Sequence, residues 1–310
     1  MRNLVVRSLR EDDLEVADRI NRIAFGTFFD LDNPADFRGD GDVVRGRLQN
    51  NPDGAFAADL DGELVACGFV MDWGSAGIFG PLTVDVEHWG KGIARAMLDT
   101  MTAYMDGCGF SLQGLFTHAQ SAKHIRLYEA YGFRMQRITA VMAKEIAPQA
   151  AARDLLLFSA QDEAGQQELL SCCAEISGSV FPGLDLGGEI LSIRNNKFGD
   201  TVLVVDDGDI VGFACCHHGA GSEAGSAQVM VKFAAVRRGN DAARRFMLLL
   251  AACESFAASR GVKRLVAGTN TGRSGAYEAM LDAGYRTWMN GIAMHKSGGS
   301  CYDLPDVFVI

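Results

Sequence analysis

Two short patterns recur in the same order about 150 residues apart, and this repetition narrows the folds open to the chain more than any other feature. Asp61-Gly62-Glu63-Leu64-Val65-Ala66 returns as Asp207-Gly208-Asp209-Ile210-Val211-Gly212, 146 positions on. Each is a turn dipeptide between two apolar runs, which signals a β-hairpin. Tyr131-Gly132-Phe133-Arg134 returns as Ala283-Gly284-Tyr285-Arg286, 152 positions on, each after a helical stretch and before a strand-like run. Order and near-constant spacing predict a duplicated unit, and 310 residues suffice for two cores of ordinary size. The seam is expected at Ala147-Pro148-Gln149-Ala150-Ala151, dividing the chain into domains 1–147 and 153–310.

Periodicity fills in each unit. The first reads as a strand at Leu4 to Ser8, helices at Asp13 to Ala24 and Val43 to Gln49, and strands at Ala55 to Asp59, Leu64 to Asp72 and Ile78 to Val86. A helix at Ile93 to Cys108, a strand at Leu112 to Thr117, a helix at Ala122 to Tyr131 and a strand at Arg137 to Lys144 follow. The second has strands at Thr201 to Val205, Ile210 to His217 and Val229 to Val236, a helix at Ala242 to Ser259 and a strand at Arg264 to Gly268. The fold class predicted is α+β, in two similar domains.

A net charge of -10 supplies no basic surface for nucleic acid or an anionic membrane and favours cationic partners. The first residues lack the apolar stretch of a signal peptide, and no later run reaches the ~20 apolar residues of a membrane span, so a cytoplasmic protein is expected, as monomer or homodimer. Its eight cysteines form no C-x-x-C pair and are expected to be reduced and mostly buried. Cys172-Cys173 reads as small apolar filler in a helix. Cys215-Cys216-His217-His218 offers four potential ligands, but neighbouring strand residues point to opposite faces and cannot converge on one ion without a sharp turn. No metal is expected.

The segment richest in chemistry runs from Leu82 to Leu98. An alternating strand, Leu82-Thr83-Val84-Asp85-Val86, passes through Glu87-His88-Trp89-Gly90-Lys91-Gly92 into a helix opening Ile93-Ala94-Arg95. Such a turn leaves backbone N–H groups free at a helix N-terminus, where they and the helix dipole bind phosphate. Lys91 and Arg95 add positive charge. A dinucleotide fingerprint is ruled out by Arg95, where glycine or alanine is required, and by the lack of an opening β-α-β unit. A tight turn without a ligand is the plainer alternative.

This segment resembles motif A of the GCN5-related N-acetyltransferases (GNAT), Q/R-x-x-G-x-G/A after a strand L-x-V-x-P. Leu82, Val84 and Val86 match the strand, with Val86 for proline, and Gly92 and Ala94 match the turn. Trp89 stands in place of Gln or Arg, removing one polar pyrophosphate partner but leaving the N–H cradle. His124-Ile125-Arg126-Leu127-Tyr128-Glu129-Ala130-Tyr131-Gly132-Phe133 resembles the family's A-I-x-L-Y-E-x-x-G-F helix. The resemblance spans residues 1–146 and, more loosely, 153–297. It implies two tandem GNAT-like domains, each a mixed, mostly antiparallel sheet flanked by helices with a V-shaped splay between strands 4 and 5.

It further implies acetyl transfer from acetyl-coenzyme A, as co-substrate, to the primary amine of a small acceptor. The coenzyme residues it implies are Leu82, Thr83, Val84, Trp89, Gly90, Lys91, Gly92, Ile93, Ala94, Arg95 and Ser121, the last where the family often has asparagine. Tyr128 would protonate the departing thiolate. Strand 4 carries no carboxylate, so His118, with His88 second, is the candidate general base. The acceptor pocket would come from Phe25, Phe28, Phe29, Asp30 and Asp32, continuing through Asp36, Asp40 and Asp42. Aromatic faces and carboxylates suit a cationic amine; a solvated acidic loop over core phenylalanines is the alternative. In the second copy Asp241 replaces the turn glycine and Met280 the tyrosine, with Tyr277 one turn early, so that domain is expected to be structural or to complete the substrate pocket. The competing function class is a non-catalytic module that senses coenzyme A or holds a partner.

Overall fold

The computed structural model describes residues 3–147, 155–296 and 301–310; residues 148–151 of the expected seam lie outside them. In the first half, β1 (Leu4–Ser8) leads to α1 (Leu14–Phe28) and α2 (Val43–Asn50), then β2 (Ala55–Leu60), β3 (Glu63–Trp73) and β4 (Ala76–Val84). α3 (Ile93–Cys108), β5 (Leu112–His118), α4 (Ala122–Glu129) and β6 (Arg134–Glu145) complete it. The second half repeats this order: β7 (Leu156–Leu157), α5 (Glu163–Val180), α6 (Gly187–Asn196), β8 (Gly199–Asp206), β9 (Asp209–Gly219) and β10 (Gly225–Val236). α7 (Ala242–Ser259), β11 (Arg264–Asn270), α8 (Ser274–Asp282) and β12 (Arg286–His295) follow.

The hairpin signals form as read. Asp61 and Gly62 have φ of 54° and 91°, and Asp207 and Gly208 have 52° and 91°. Two consecutive positive φ values are the signature of the type I′ turn that matches strand twist. Helix α3 occupies its predicted span, and its buried residues Ile93, Met97, Leu98, Met101 and Met105 follow the helical repeat.

The twelve strands form one sheet in the order β1-β2-β3-β4-β5-β12-β6-β11-β10-β9-β8-β7. Each half therefore lends its last strand to the other. β12 lies antiparallel to β5, with Gly291 opposite His118, and β6 lies antiparallel to β11, with Thr139 opposite Asn270. The lent strands pair with each other about a local two-fold axis: Arg286 opposes Ala143 and His295 opposes Arg134. The cores follow the exchange. Met294 of β12 packs with Phe79, Met97 and Phe133 of the first half, while Ala140 and Met142 of β6 pack with Phe246, Leu250 and Met280 of the second. Helices cover both faces, α1 and α2 opposite α3 and α4, α5 and α6 opposite α7 and α8. Among the described residues no helix is long and apolar enough to cross a membrane.

β4 and β5 run parallel and pair from Ala76–Leu112 to Phe79–Leu115; beyond that point no pairing continues, although β4 extends to Val84 and β5 to His118. Pro81, which has no N–H to donate to a neighbour, lies in the stretch of β4 that is unpaired to β5. The same parting occurs in the second half, where β10 and β11 pair only at Val229–Leu265 and Met230–Val266.

Candidate active site

The turn after β4 delivers an uncapped helix N-terminus beside the opened strands. Gly90 and Gly92 have φ of 78° and 85°, and a β-carbon on either would meet nothing within 4 Å. The backbone, not packing, therefore selects glycine here. Gly92 is the N-cap of α3 and provides no side-chain cap. The N–H groups of Gly92, Ile93 and Ala94 have no hydrogen-bond partner among the described residues, and Gly90, Lys91, Gly92 and Arg95 are exposed. Free donors, the dipole of a 16-residue helix and two cations are features that favour an anion at such a turn. Trp89 is half-exposed, and its indole N–H donates to the Val84 carbonyl at 2.8 Å. That hydrogen bond ties the turn to the end of β4, and Lys123 lies over the ring at 5.6 Å. His88 belongs to the turn, and Asp85 accepts the Glu87 N–H at 3.0 Å.

Tyr128, on α4, is 9% exposed and meets Phe79 edge-on at 5.4 Å. Phe79 is the last β4 residue paired to β5, so the phenol stands where the strands part. Burial pushes its pKa up to about 12, and it remains protonated at neutral pH. Ser121, just before α4, has its hydroxyl 2.9 Å from His124 Nδ1.

His118, at the end of β5, is enclosed by rings. Phe28 lies 5.0 Å away, Phe29 4.9 Å and Phe25 6.4 Å. Burial, then the neighbouring His124 and Arg38, lower its pKa, and its Nδ1 is buried without a partner. The structure thus gathers three of the pocket residues read from sequence around the histidine read as base. Two members were missed: Phe37, stacked on Phe25 at 5.2 Å, and His124, 5.6 Å from Phe28. The three-residue interval from Ser121 to His124 was the available signal, since it sets both on the first turn of one helix.

The acidic residues do not join this cluster. Asp30, Asp32 and Asp36 are exposed. Asp42 caps α2, accepting from the Val44 and Arg45 N–H groups, and Asp40 docks the loop on the second half by accepting the Ser226 N–H at 2.8 Å.

Cys215 and Cys216 enter the cores on opposite faces of the sheet, as strand alternation requires. His217 instead meets Glu189 at 2.9 Å. Glu189, His217 and Glu223 form the one close group of three metal-ligating side chains among the described residues, and a lysine stands in it. Lys232 Nζ lies 2.8 Å from both Glu189 oxygens and 2.7 Å from Glu223. Arg47 of α2 reaches Glu223 at 3.1 Å and Asn50 reaches Glu189 at 2.9 Å, so this buried network joins the two halves. Burial alone would raise Glu189, but Lys232 and His217 outweigh it and hold the carboxyl at about 2. All eight cysteines are free, five of them buried.

In the second half, Asp241 precedes α7 and lies 3.8 to 3.9 Å from Arg245 and Arg244. The Ala242 N–H is already bonded to the Gly239 carbonyl. Met280 is fully buried.

Residues 18–133 match the family model of the acetyltransferase (GNAT) family. No curated protein matches the sequence. Among solved structures, a protein of Pyrococcus horikoshii assigned as an acetyltransferase is 14% identical, with a TM-score of 0.68 over 99% of this chain and 94% of that one. A GCN5-related N-acetyltransferase from Sphaerobacter thermophilus is 16% identical, with a TM-score of 0.59 over 94% and 95%. A tandem GNAT protein from the clavulanic acid biosynthesis pathway is 12% identical, with a TM-score of 0.58 over 97% and 100%. At these identities the likeness is one of fold, and it extends over both halves.

Proposed function

Since residues 18–133 match the model of the acetyltransferase (GNAT) family, whose donor is acetyl-coenzyme A, we propose that the first half transfers the acetyl group to the primary amine of a small, cationic acceptor. The observation that carries this is the parting of β4 and β5 after Phe79–Leu115, with Tyr128 beside Phe79 where the strands part, free N–H groups on the turn beyond β4, and His118 with its phenylalanines at the end of β5. The N–H groups of Gly92, Ile93 and Ala94, with Lys91 and Arg95, would hold the pyrophosphate. Leu82, Thr83 and Val84 would line the pantetheine arm, which can hydrogen-bond as an added strand. Acetyl-coenzyme A supplies the activated thioester. Phe25, Phe28 and Phe29 offer faces to an ammonium group, and the exposed Asp30 and Asp32 draw it in.

Neutral His118 is available to take the amine proton. A lowered pKa keeps it unprotonated below the usual ~6.5, so kcat/KM is expected to hold level to a pH below ~6.5 before falling. An acid limb centred at pH 7 or above would remove His118 from the role. Tyr128, held near 12, donates a hydrogen bond to the departing sulfur; complete transfer to a thiolate of ordinary pKa ~8.5 is uphill. Tyr128→Phe is expected to lower kcat roughly tenfold with little change in coenzyme affinity. A kcat equal to wild type across pH 6 to 9 would return the tyrosine to a packing role.

The second half serves as structure. Asp241 puts negative charge where the first half has Gly92, which repels a pyrophosphate, and Met280 stands in place of the tyrosine. Calorimetric titration should find one equivalent of acetyl-coenzyme A per chain, and thiol release over an amine panel should identify the acceptor. Two equivalents would overturn the reading of the second half. Coenzyme binding with no thiol release for any amine would favour the sensing module.

A further inference from the structure

The strands of the second half part at the point equivalent to the first. Met230 and Val266, the last pair of β10 and β11, each lie 151 positions after Phe79 and Leu115. By that offset Ala234 and Ala235 correspond to Thr83 and Val84, two of the residues proposed to line the pantetheine arm. This second slot is filled. The end of the segment Cys301–Ile310 lies in it: after turns at 301–302 and 305–306, Phe308–Ile310 runs antiparallel to β10, with Val309 opposite Ala235. The Val236 N–H donates to the Phe308 carbonyl at 3.4 Å and the Ile310 N–H to the Ala234 carbonyl at 2.9 Å. On the other side, Thr269 of β11 donates to the Val309 carbonyl at 2.8 Å. Val307 and Val309 enter the core on one face, while Phe308 and Ile310 pack on the other.

Its ends meet the residues that would otherwise face a coenzyme. Asp306 extends its carboxylate to Arg238 of the turn after β10, at 2.6 Å, on the side where the first half offers N–H groups to phosphate. Arg273 stands immediately before α8 as Ser121 stands before α4. Its guanidinium holds Asp303 at 2.9 Å, donates to the Val309 carbonyl at 3.2 Å and covers the Tyr302 ring at 4.6 Å.

We infer that the segment Cys301–Ile310 is a built-in occupant of the second half's coenzyme slot, whose extended end, Phe308–Ile310, takes the place of a pantetheine arm and closes the slot to acyl-coenzyme A. The inference rests on reading the equivalent slot of the first half as the coenzyme site. The inserted strand gains main-chain hydrogen bonds from β10, side-chain donors on the β11 side in the Thr269 hydroxyl and the Arg273 guanidinium, and pockets for alternate side chains.

The test uses a chain ending at residue 300 and a fluorescent peptide of sequence 301–310. The shortened chain should capture one equivalent of peptide, at least tenfold more tightly than the full chain, whose own segment fills the slot. A peptide carrying Asp303→Asn should bind at least several-fold more weakly, through loss of its charge pair with Arg273. Equal capture by both chains, or none by a folded shortened chain, would overturn the inference. Should the shortened chain fail to fold, full-length Val309→Asp read by hydrogen exchange decides: protection should fall at the Val236 and Ile310 amides and persist in β2 and β3, and unchanged protection would overturn it. Gly92→Glu in the full chain separates the two readings. If that variant still binds one equivalent of acetyl-coenzyme A, the first-half assignment fails, whatever the peptide does.

Discussion

Gly92→Glu is expected to weaken acetyl-coenzyme A binding at least ~100-fold, because it removes a phosphate site and adds a like charge to it. Each charge-assisted hydrogen bond from the turn contributes about 1.5–3 kcal/mol, so losing two is enough for that factor. The carboxylate adds repulsion where free N–H groups and a helix dipole favour an anion. The backbone at φ 85° strains any side chain by about 1 kcal/mol, which Gly92→Ala isolates. A β-carbon there meets nothing within 4 Å, so the alanine variant should lose far less affinity than the glutamate. Calorimetry with circular dichroism as the fold control checks both, and near-wild-type affinity in a folded Gly92→Glu chain would sink the phosphate assignment.

Lys232→Met is expected to destabilise the protein by about 3–5 kcal/mol, the usual result of removing one partner from a buried ion network. Lys232 lies against Glu189 and Glu223, whose side chains are 1% and 8% exposed. Without it the two carboxylates keep only Arg47, His217 and Asn50 as partners. A urea midpoint at constant m-value measures the loss, and Glu189→Gln in the same chain should restore part of it by removing the orphaned charge. A stability within 1 kcal/mol of wild type would show that the network does not carry the junction. Acid gives a second readout. Glu189 titrates at about 2 in the folded chain, below the ordinary carboxylate range. Its contribution is therefore present above the unfolded pKa and lost as pH falls toward 2. Lys232→Met should shift that acid transition upward.

What the sequence made legible was whatever is encoded locally. The I′ turns at Asp61-Gly62 and Asp207-Gly208, the span of α3 and the glycine turn before it depend on φ preferences and on periodicity within a dozen residues. The gathering of Phe25, Phe28 and Phe29 on one helix face followed for the same reason. The exchange of β6 and β12 was not legible, because alternation specifies which face of a strand is buried and not which strand lies beside it. Glu189, Glu223 and Lys232 are isolated charges in otherwise ordinary stretches, and only the packing of α2 and α6 against β9 and β10 brings them together. The segment Cys301–Ile310 carries no strand signal, since Pro305 and Asp306 interrupt it; its place is set by a slot more than thirty residues earlier in the chain.

The exchange of last strands also sets a timetable for the molecule's synthesis. The ribosome delivers β5 and β6 long before β12, yet β12 is the strand that lies between them. Until it arrives, β5 presents an open hydrogen-bonding edge that ends at His118, the kind of edge that invites pairing with other chains. An N-terminal domain that could close by itself would mature as it emerged, whereas this one must wait for the roughly 140 residues between β6 and β12, and the nascent chain is exposed to mispairing for as long as they take to emerge.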